Sequence, residues 1–384
     1  MSNHALTLKD TGSVMEGKAR LPETGSSVFY NPKMSLNRDL AVLFILSHFT
    51  IAKPLRICEP MTGTGIRAAR YLLECSNVEH VVANDNEAEA FEVASRTVHL
   101  NNLAEKATVS NCDGNLLLLN HTVERFDLVD LDPFGSPAPY FESALRATFD
   151  GGVLAATATD MGPLTGARVM ACKRKYGVSA VRTEFEKEFA VRALVGCLAS
   201  IAGRLGLGIE VVFSHASDHY ARVYASVRKG VKFANVSAKS LEYLQYCPNC
   251  LGRTFSKSLS AIKVTCPGCG RKNEVGGPLW SDSLWDEATV RGMIERTPML
   301  TSSRISEVQR LLELISVEND APALHYRTDV LAKTFRIKPP NMTRLVSTLK
   351  QEGYACTRTH FHPNGFRTNA SAREVASVLQ PKKT

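Results

Sequence analysis

Seven short β-rich runs, "RICEPM", "HVVAND", "ATVSN", "FDLVDLD", "VLAATAT", "IEVVFSHA" and "ARVYASVRKG", succeed one another between Arg56 and Gly230. Helix-length segments such as "GIRAARYLLECS" and "NEAEAFEVASRTVHLNNL" separate the early runs, and this alternation predicts βαβ units in a mostly parallel, doubly wound sheet. The last two runs break the rhythm. Too few residues lie between "IEVVFSHA" and "ARVYASVRKG" for a crossover helix, so these strands must pair as an antiparallel hairpin. The expected fold class is therefore α/β, a Rossmann-like seven-stranded domain whose final strand runs backwards.

Acids and glycines punctuate the carboxyl ends of these strands. "RICEPMTGTGIRAARYL" reads as strand, acid, two glycines one residue apart, then helix. Gly63 and Gly65 would let the backbone approach a ligand that faces the helix N-terminus, with Glu59 beside it. The next strand ends in "ANDN", about 20 residues on, where a doubly wound nucleotide site places the carboxylate for the ribose hydroxyls, here Asp85. The third is followed by "CDGN", which sets Asp113 and Gly114 at the same edge, within reach of an adenine amino group. Helix capping is the plainer explanation for each acid. The glycine triplet of a dinucleotide dehydrogenase is absent, whereas a parallel sheet with its last strand reversed is typical of methyltransferases that use S-adenosylmethionine.

The fourth strand ends in "FDLVDLDPFGSPAPY". Asp132 then stands at the edge where such sheets bind ligands. A purine's exocyclic amine is a poor nucleophile because its lone pair is delocalised into the ring. Acceptors holding its N–H groups, Asp132 and a carbonyl near Pro133, draw the nitrogen toward tetrahedral geometry. Phe134 offers a face for the base, a contact worth about 1–3 kcal/mol in single-stranded recognition. "DPFG" is close to the Asp-Pro-Pro-aromatic motif of amino-methylating enzymes, with one proline fewer. A simple Asp-Pro turn is the alternative.

Of ten cysteines, six are scattered singly and read as reduced core thiols. The other four form "CPNC" and "CPGC", fifteen residues apart. Cys247, Cys250, Cys266 and Cys269 at this spacing supply four thiolates for one Zn2+, a closed structural site rather than a redox pair.

The chain of 384 residues, 44% hydrophobic, has room for two or three domains. Its 46 basic against 38 acidic residues, +8 overall, suit a polyanionic partner. "LAVLFILSHF", the longest apolar run, is about half the length a bilayer requires and predicts a core helix. "MSNHALTLKD" lacks the features of a secretory signal, so a cytoplasmic protein without membrane association is expected. The tail predicts helices over "ISEVQRLLELISVE" and on either side of a Pro-Pro break in "TDVLAKTFRIKPPNMTRLVSTLKQEGY", a winged-helix-like unit. Its basic residues Arg336, Lys338, Arg344 and Lys350, and the interleaved Arg358, His360, Phe361, His362, Phe366 and Arg367, suit phosphate contact and base stacking.

Together, "VFYNPKMSLNRDL", "TGTGIRAARYL", "DLDPFGSPAPY", "FSHASDHYARVYASVRKG" and "THFHPNGFRTNA" resemble the tRNA (guanine-26, N2) dimethyltransferase family in a compact archaeal form, from about Lys18 nearly to the C-terminus. The resemblance implies methyl transfer from S-adenosylmethionine to the N2 amine of guanine 26, giving N2,N2-dimethylguanosine. It implies that Arg38 and Arg67 contact the cofactor, Asp85 its ribose and Asp113 its adenine side, with Asp132 catalytic and Phe134 stacking. Glu59 stands where the family carries an aspartate. The implied organisation is an N-terminal segment packing on the cofactor site (1–50), the methyltransferase domain (51–240), a zinc-ribbon-like insert (241–276) and an α+β tRNA-binding domain (277–384), in a monomer. A DNA adenine N6-methyltransferase is the nearest rival. An inactive zinc-ribbon RNA-binding factor is another.

Overall fold

The computed structural model describes residues 13–23, 28–217 and 219–379; the first ten residues, and the reading made of them, lie outside that range. The seven expected strands are β1 (Leu55–Glu59), β2 (Val78–Asn84), β3 (Ala107–Ser110), β4 (Phe126–Leu131), β5 (Thr148–Ala158), β6 (Leu207–Ala216) and β7 (Ala221–Lys229). They form one sheet in the order β3-β2-β1-β4-β5-β7-β6, parallel except that β7 is antiparallel to both neighbours. All six residues of β4 are buried, which is why that strand reads as a continuous apolar run broken only by Asp127 and Asp130.

Helices α1 (Ser35–His48), α2 (Ile66–Glu74), α3 (Ala88–Leu100), α4 (Gly114–Asn120) and α5 (Phe141–Ala147), with the long α6 (Glu186–Arg204), cover the sheet. The apolar stretch of α1 is buried from Leu36 to Leu46, as a core helix must be. Among the described residues, no helix is long and apolar enough to cross a membrane. An N-terminal hairpin, Val14–Glu16 with Ala19–Leu21, is fastened to α1 and α2 by Glu16, which pairs with Arg38 at 2.5 Å and Arg70 at 3.0 Å.

Three further antiparallel strands, β8 (Leu241–Tyr246), β9 (Arg253–Ser256) and β10 (Glu274–Trp280), carry the four-cysteine motif in the order β9-β8-β10. Beyond them α7 (Glu287–Arg296) returns to α1, where His48 Nδ1 lies 3.3 Å from Thr289 Oγ1. The remainder is α8 (Ile305–Ser316), β11 (Tyr326–Arg327), α9 (Thr328–Phe335), α10 (Met342–Gln351), β12 (Cys356–Arg358), β13 (Gly365–Thr368) and α11 (Ala372–Leu379), with strand order β11-β13-β12. This is the winged-helix-like arrangement expected from the sequence. Asn341 starts α10 as predicted, its Oδ1 accepting from the N–H groups of Thr343 and Arg344. Leu331, Leu345, Leu349, Phe366 and Val375 give the unit a core of its own.

The interleaved basic and aromatic cluster of the tail is not an exposed surface. Phe361, Phe366 and Arg367 are buried, as is the side chain of His360; His362 is half-buried and Arg358 is exposed. Two acids from distant segments explain the inversion. Glu318 takes His360 Nδ1 at 2.5 Å and Arg367 Nε at 2.8 Å. Glu188 of α6 pairs with Arg192 at 2.9 Å, Arg367 at 3.0 Å and His325 at 3.0 Å, and accepts from the backbone N–H of Leu324. Burial alone would raise the Glu188 pKa, but Arg367 and Arg192 hold the carboxyl well below its usual range. Glu188→Ala leaves the buried Arg192 without a carboxylate partner and Arg367 with Glu318 alone, and should cost about 3–5 kcal/mol. Urea unfolding measures that loss, and hydrogen exchange should locate it first at β11 and β13.

Candidate active site and metal centre

The loop after β1 turns through two glycines in left-handed conformations, φ +55° at Gly63 and +73° at Gly65. Their reasons differ. A side-chain carbon on Gly63 would meet nothing within 4 Å, whereas one on Gly65 would lie 3.0 Å from Ala94 Cα. Gly63 thus keeps open space above the loop, and Gly65 serves the close packing of α2 on α3 rather than ligand approach. Asp85, at the end of β2, braces this loop: its Oδ2 accepts from Gly63 N at 2.8 Å and its Oδ1 from Glu87 N at 3.1 Å. Each carboxylate oxygen retains a lone pair for a ribose hydroxyl. Asp113 is an N-cap, accepting from Leu116 N at 2.9 Å, and remains exposed. Gly114 is buried against Pro60 O. These residues share one carboxyl edge.

Asp132 lies at the end of β4 with its side chain 19% exposed, its Oδ2 ion-paired to Arg67 of α2. Arg67 is buried and central: it donates to Asn37 Oδ1 at 3.0 Å and lies 3.3 Å from Glu59 and 3.7 Å from Asp130. Asp130 is held by Arg222 at 2.8 Å and by Tyr71 Oη at 2.5 Å. Burial would raise its pKa, yet Arg222 and Arg67 keep it lowered. Glu59 is the exception. Its Oε2 accepts from Thr62 Oγ1 at 2.6 Å, and burial pushes its carboxyl up to about 8 despite Arg67. Asp130 is just as buried but has both guanidinium groups, whereas Glu59 has Arg67 alone and lies beside the charges of Asp130 and Asp132, so Glu59 is the group that keeps its proton. Glu59 therefore shapes the loop from beneath and does not present a free carboxylate.

Arg38, grouped with Arg67 in the sequence reading, belongs to a different cluster. Both its Nε and Nη2 donate to Glu16 at 2.5 Å, and Nη2 also donates to Asn31 O.

Phe134 is 84% exposed, and Phe29 of the N-terminal segment, 64% exposed, stands against it with ring centroids 5.7 Å apart. Sequence reasoning passed over Phe29. Its only signal was an aromatic residue in a turn-rich stretch, and its partner is remote in sequence. Gly135, φ +92°, binds back to β5 through Thr159 Oγ1 at 2.7 Å, which fixes the turn that presents Phe134.

This edge suits a nucleoside cofactor with an amino-acid tail: open space over Gly63, carboxylates at two strand ends, and the buried Asn37 Nδ2 and Arg67 Nη1 without a hydrogen bond among the described residues, Nη1 having only the 3.7 Å approach to Asp130. S-adenosylmethionine has that chemistry.

Cys247, Cys250, Cys266 and Cys269 converge, with all four Sγ atoms within 4.8 Å of one another. The pairs Cys247–Cys269 and Cys250–Cys266 are 3.5 and 3.6 Å apart. A zinc tetrahedron with ~2.3 Å bonds has edges of about 3.8 Å, so the set fits Zn2+ in a closed, structural site.

The family model for N2,N2-dimethylguanosine tRNA methyltransferases matches residues 12–380. The tRNA (guanine(26)-N(2))-dimethyltransferase of Methanosphaera stadtmanae is 33% identical over 96% of this chain and 97% of its own length. The tRNA (guanine(26)-N(2)/guanine(27)-N(2))-dimethyltransferase of Aquifex aeolicus is 35% identical over 96% and 95%. The solved structure of Trm1 from Pyrococcus horikoshii with S-adenosyl-L-methionine superposes with a TM-score of 0.87, at 31% identity, over 96% of this chain and all of that one.

Two outcomes are expected. Since the folded-state pKa of Glu59 lies above its ordinary 4.5, its stabilising contribution is complete below that value and is lost as pH rises toward 8, by at most ~1.4 kcal/mol per pH unit. Glu59→Gln should remove this slope from urea titrations between pH 5 and 8. Separately, atomic absorption should find one zinc per chain and little in Cys250→Ser, which should also melt earlier while still binding S-adenosylmethionine.

Proposed function

The chain belongs to the N2,N2-dimethylguanosine tRNA methyltransferase family, and from that premise we propose how its own residues carry out the reaction. The enzyme transfers methyl groups from S-adenosylmethionine to the exocyclic N2 of guanine 26 in tRNA. We place the acceptor amine at Asp132 and the guanine ring on Phe134, with Phe29 closing over its other face. Separating the two rings to about 7 Å, twice a ~3.5 Å contact, makes room for the base. The observation that carries this reading is Asp132 itself: Arg67 occupies its Oδ2 and, among the described residues, no hydrogen bond reaches its Oδ1, so that oxygen is left to accept an amine N–H beside an exposed aromatic ring.

When bound, the cofactor supplies an electrophilic methyl group on a sulfonium. Asp132 holds one N–H and a backbone carbonyl near Pro133 holds the other, which turns the nitrogen lone pair out of conjugation and toward the methyl carbon. As the N–C bond forms and the C–S bond breaks, the amine becomes acidic and its proton passes to Asp132. Asp85 takes the ribose hydroxyls, Asp113 and Gly114 the adenine side, and Gly63 leaves the space for the tail. Arg67 fixes the orientation of Asp132, while Glu59 acts through Arg67 and Thr62. Arg38 serves by securing the N-terminal segment that carries Phe29.

Zn2+ on the four cysteines would hold the insert together and take no part in transfer. Segment 277–384 is proposed to bind tRNA through the exposed Arg336, Lys338, Arg344 and Lys350 of the winged unit, with the buried Arg367 and His360 excluded from that role. A monomer working on tRNA in the cytoplasm accords with this reading.

Asp132→Ala should lower single-turnover methylation by about 10²–10⁴ with S-adenosylmethionine affinity retained in calorimetry; full activity would sink the assignment. Mass spectrometry of nucleosides from treated tRNA identifies the modified atom and the number of methyl groups.

A further inference from the structure

Just past β5 lies an eight-residue helix, Val169–Tyr176, which neither the cofactor edge nor the zinc insert uses. It carries one face inward and another outward. Cys172 and Tyr176, four residues apart, are buried, whereas Met170 is 75% exposed and shares the opposite face with the exposed Lys173 and Arg174. Its C-terminal end is fastened beside the acceptor pocket: Tyr176 Oη and Lys175 Nζ both bond to Asp160, which follows the Thr159 that holds Gly135. Met170 lies six residues from that anchor, about 9 Å along the helix axis.

The Met170 thioether is thus presented to solvent one helical turn before two exposed cations on the same face. Guanine 26 sits inside folded RNA and must leave its stack to reach Phe134. Proteins that unstack nucleic acid do so with apolar side chains inserted between bases, among them methionine, while adjacent cations hold the backbone phosphates. We propose that the Val169–Tyr176 helix is the RNA-entering element of this enzyme: Met170 fills the gap left by the extracted guanine, and Lys173 and Arg174 bind the phosphates on either side. A flexible, unbranched side chain suits a gap whose shape differs between tRNAs.

The proposal rests on the acceptor pocket being at Asp132 and Phe134, and its test is a comparison of substrates within one pocket. Met170→Ala should slow single-turnover methylation of folded tRNA roughly tenfold, yet leave the rate unchanged on a transcript whose target guanine is already unpaired and bulged. Met170→Leu should restore the first rate. With 2-aminopurine replacing the target guanine, wild-type binding should brighten fluorescence as the base unstacks, and Met170→Ala should blunt that rise at saturating protein. The double variant Lys173→Glu, Arg174→Glu should instead weaken tRNA affinity on both substrates equally. Equal losses for Met170→Ala on both substrates, or an undiminished 2-aminopurine signal, would overturn the wedge. Activity surviving in Asp132→Ala would overturn the pocket assignment and not the substrate ratio.

Discussion

Two guanidinium groups and three carboxylates are shut together beneath the acceptor pocket, and the site depends on their balance. Arg222, on the reversed strand β7, reaches past Thr157 of β5 to Asp130 of β4, bonding to the first at 2.7 Å and the second at 2.8 Å. Arg67 then spans Asp130, Asp132 and Glu59 from the side of α2. The antiparallel strand is thereby tied to the strand that ends in the proposed catalytic acid. Loss of either cation would leave this interior cluster one positive charge short, a far larger penalty than loss of a surface pair.

A second charged cluster couples the catalytic domain to the winged unit. Glu188 on α6 and Glu318 beyond α8 converge on Arg367 of β13, while Arg253 of the cysteine-bearing sheet pairs with Glu184 at the start of α6 and lies 3.8 Å from the centre of the Tyr326 ring. The three parts of the chain thus meet near one end of α6. An RNA held by the winged unit, as proposed, would be held in a fixed relation to β4, and affinity gained far from the pocket would then contribute to positioning within it.

The sheet was legible because its signals are local and redundant. Each strand is a short apolar run, and the brevity of the "SDHY" connection forces the final hairpin. Zinc ligation was equally legible, since two Cys-x-x-Cys knuckles specify ligand type and spacing together. Asp132 could be placed because the end of a buried parallel strand is a defined location. Less visible were the partners of charged side chains. Arg38 and Arg67 sit in similar helical contexts, yet one closes on Glu16 and the other on Asp132. The basic and aromatic run near Phe361 reads as an RNA-facing surface, and only Glu188 and Glu318, both remote in sequence, turn it inward.

Sequence alone thus determined the α/β class, the reversed last strand, the four metal ligands and the acid at the end of the fourth strand, since each follows from periodicity or spacing within a few tens of residues. Tertiary structure decided that Phe29 faces Phe134, that Glu59 lies beneath the loop with a raised pKa, and that Met170 stands exposed on a helix whose far end is tied to Asp160. Those outcomes depend on burial and on pairings between distant segments. Neither is encoded by the residues on one side of the contact alone.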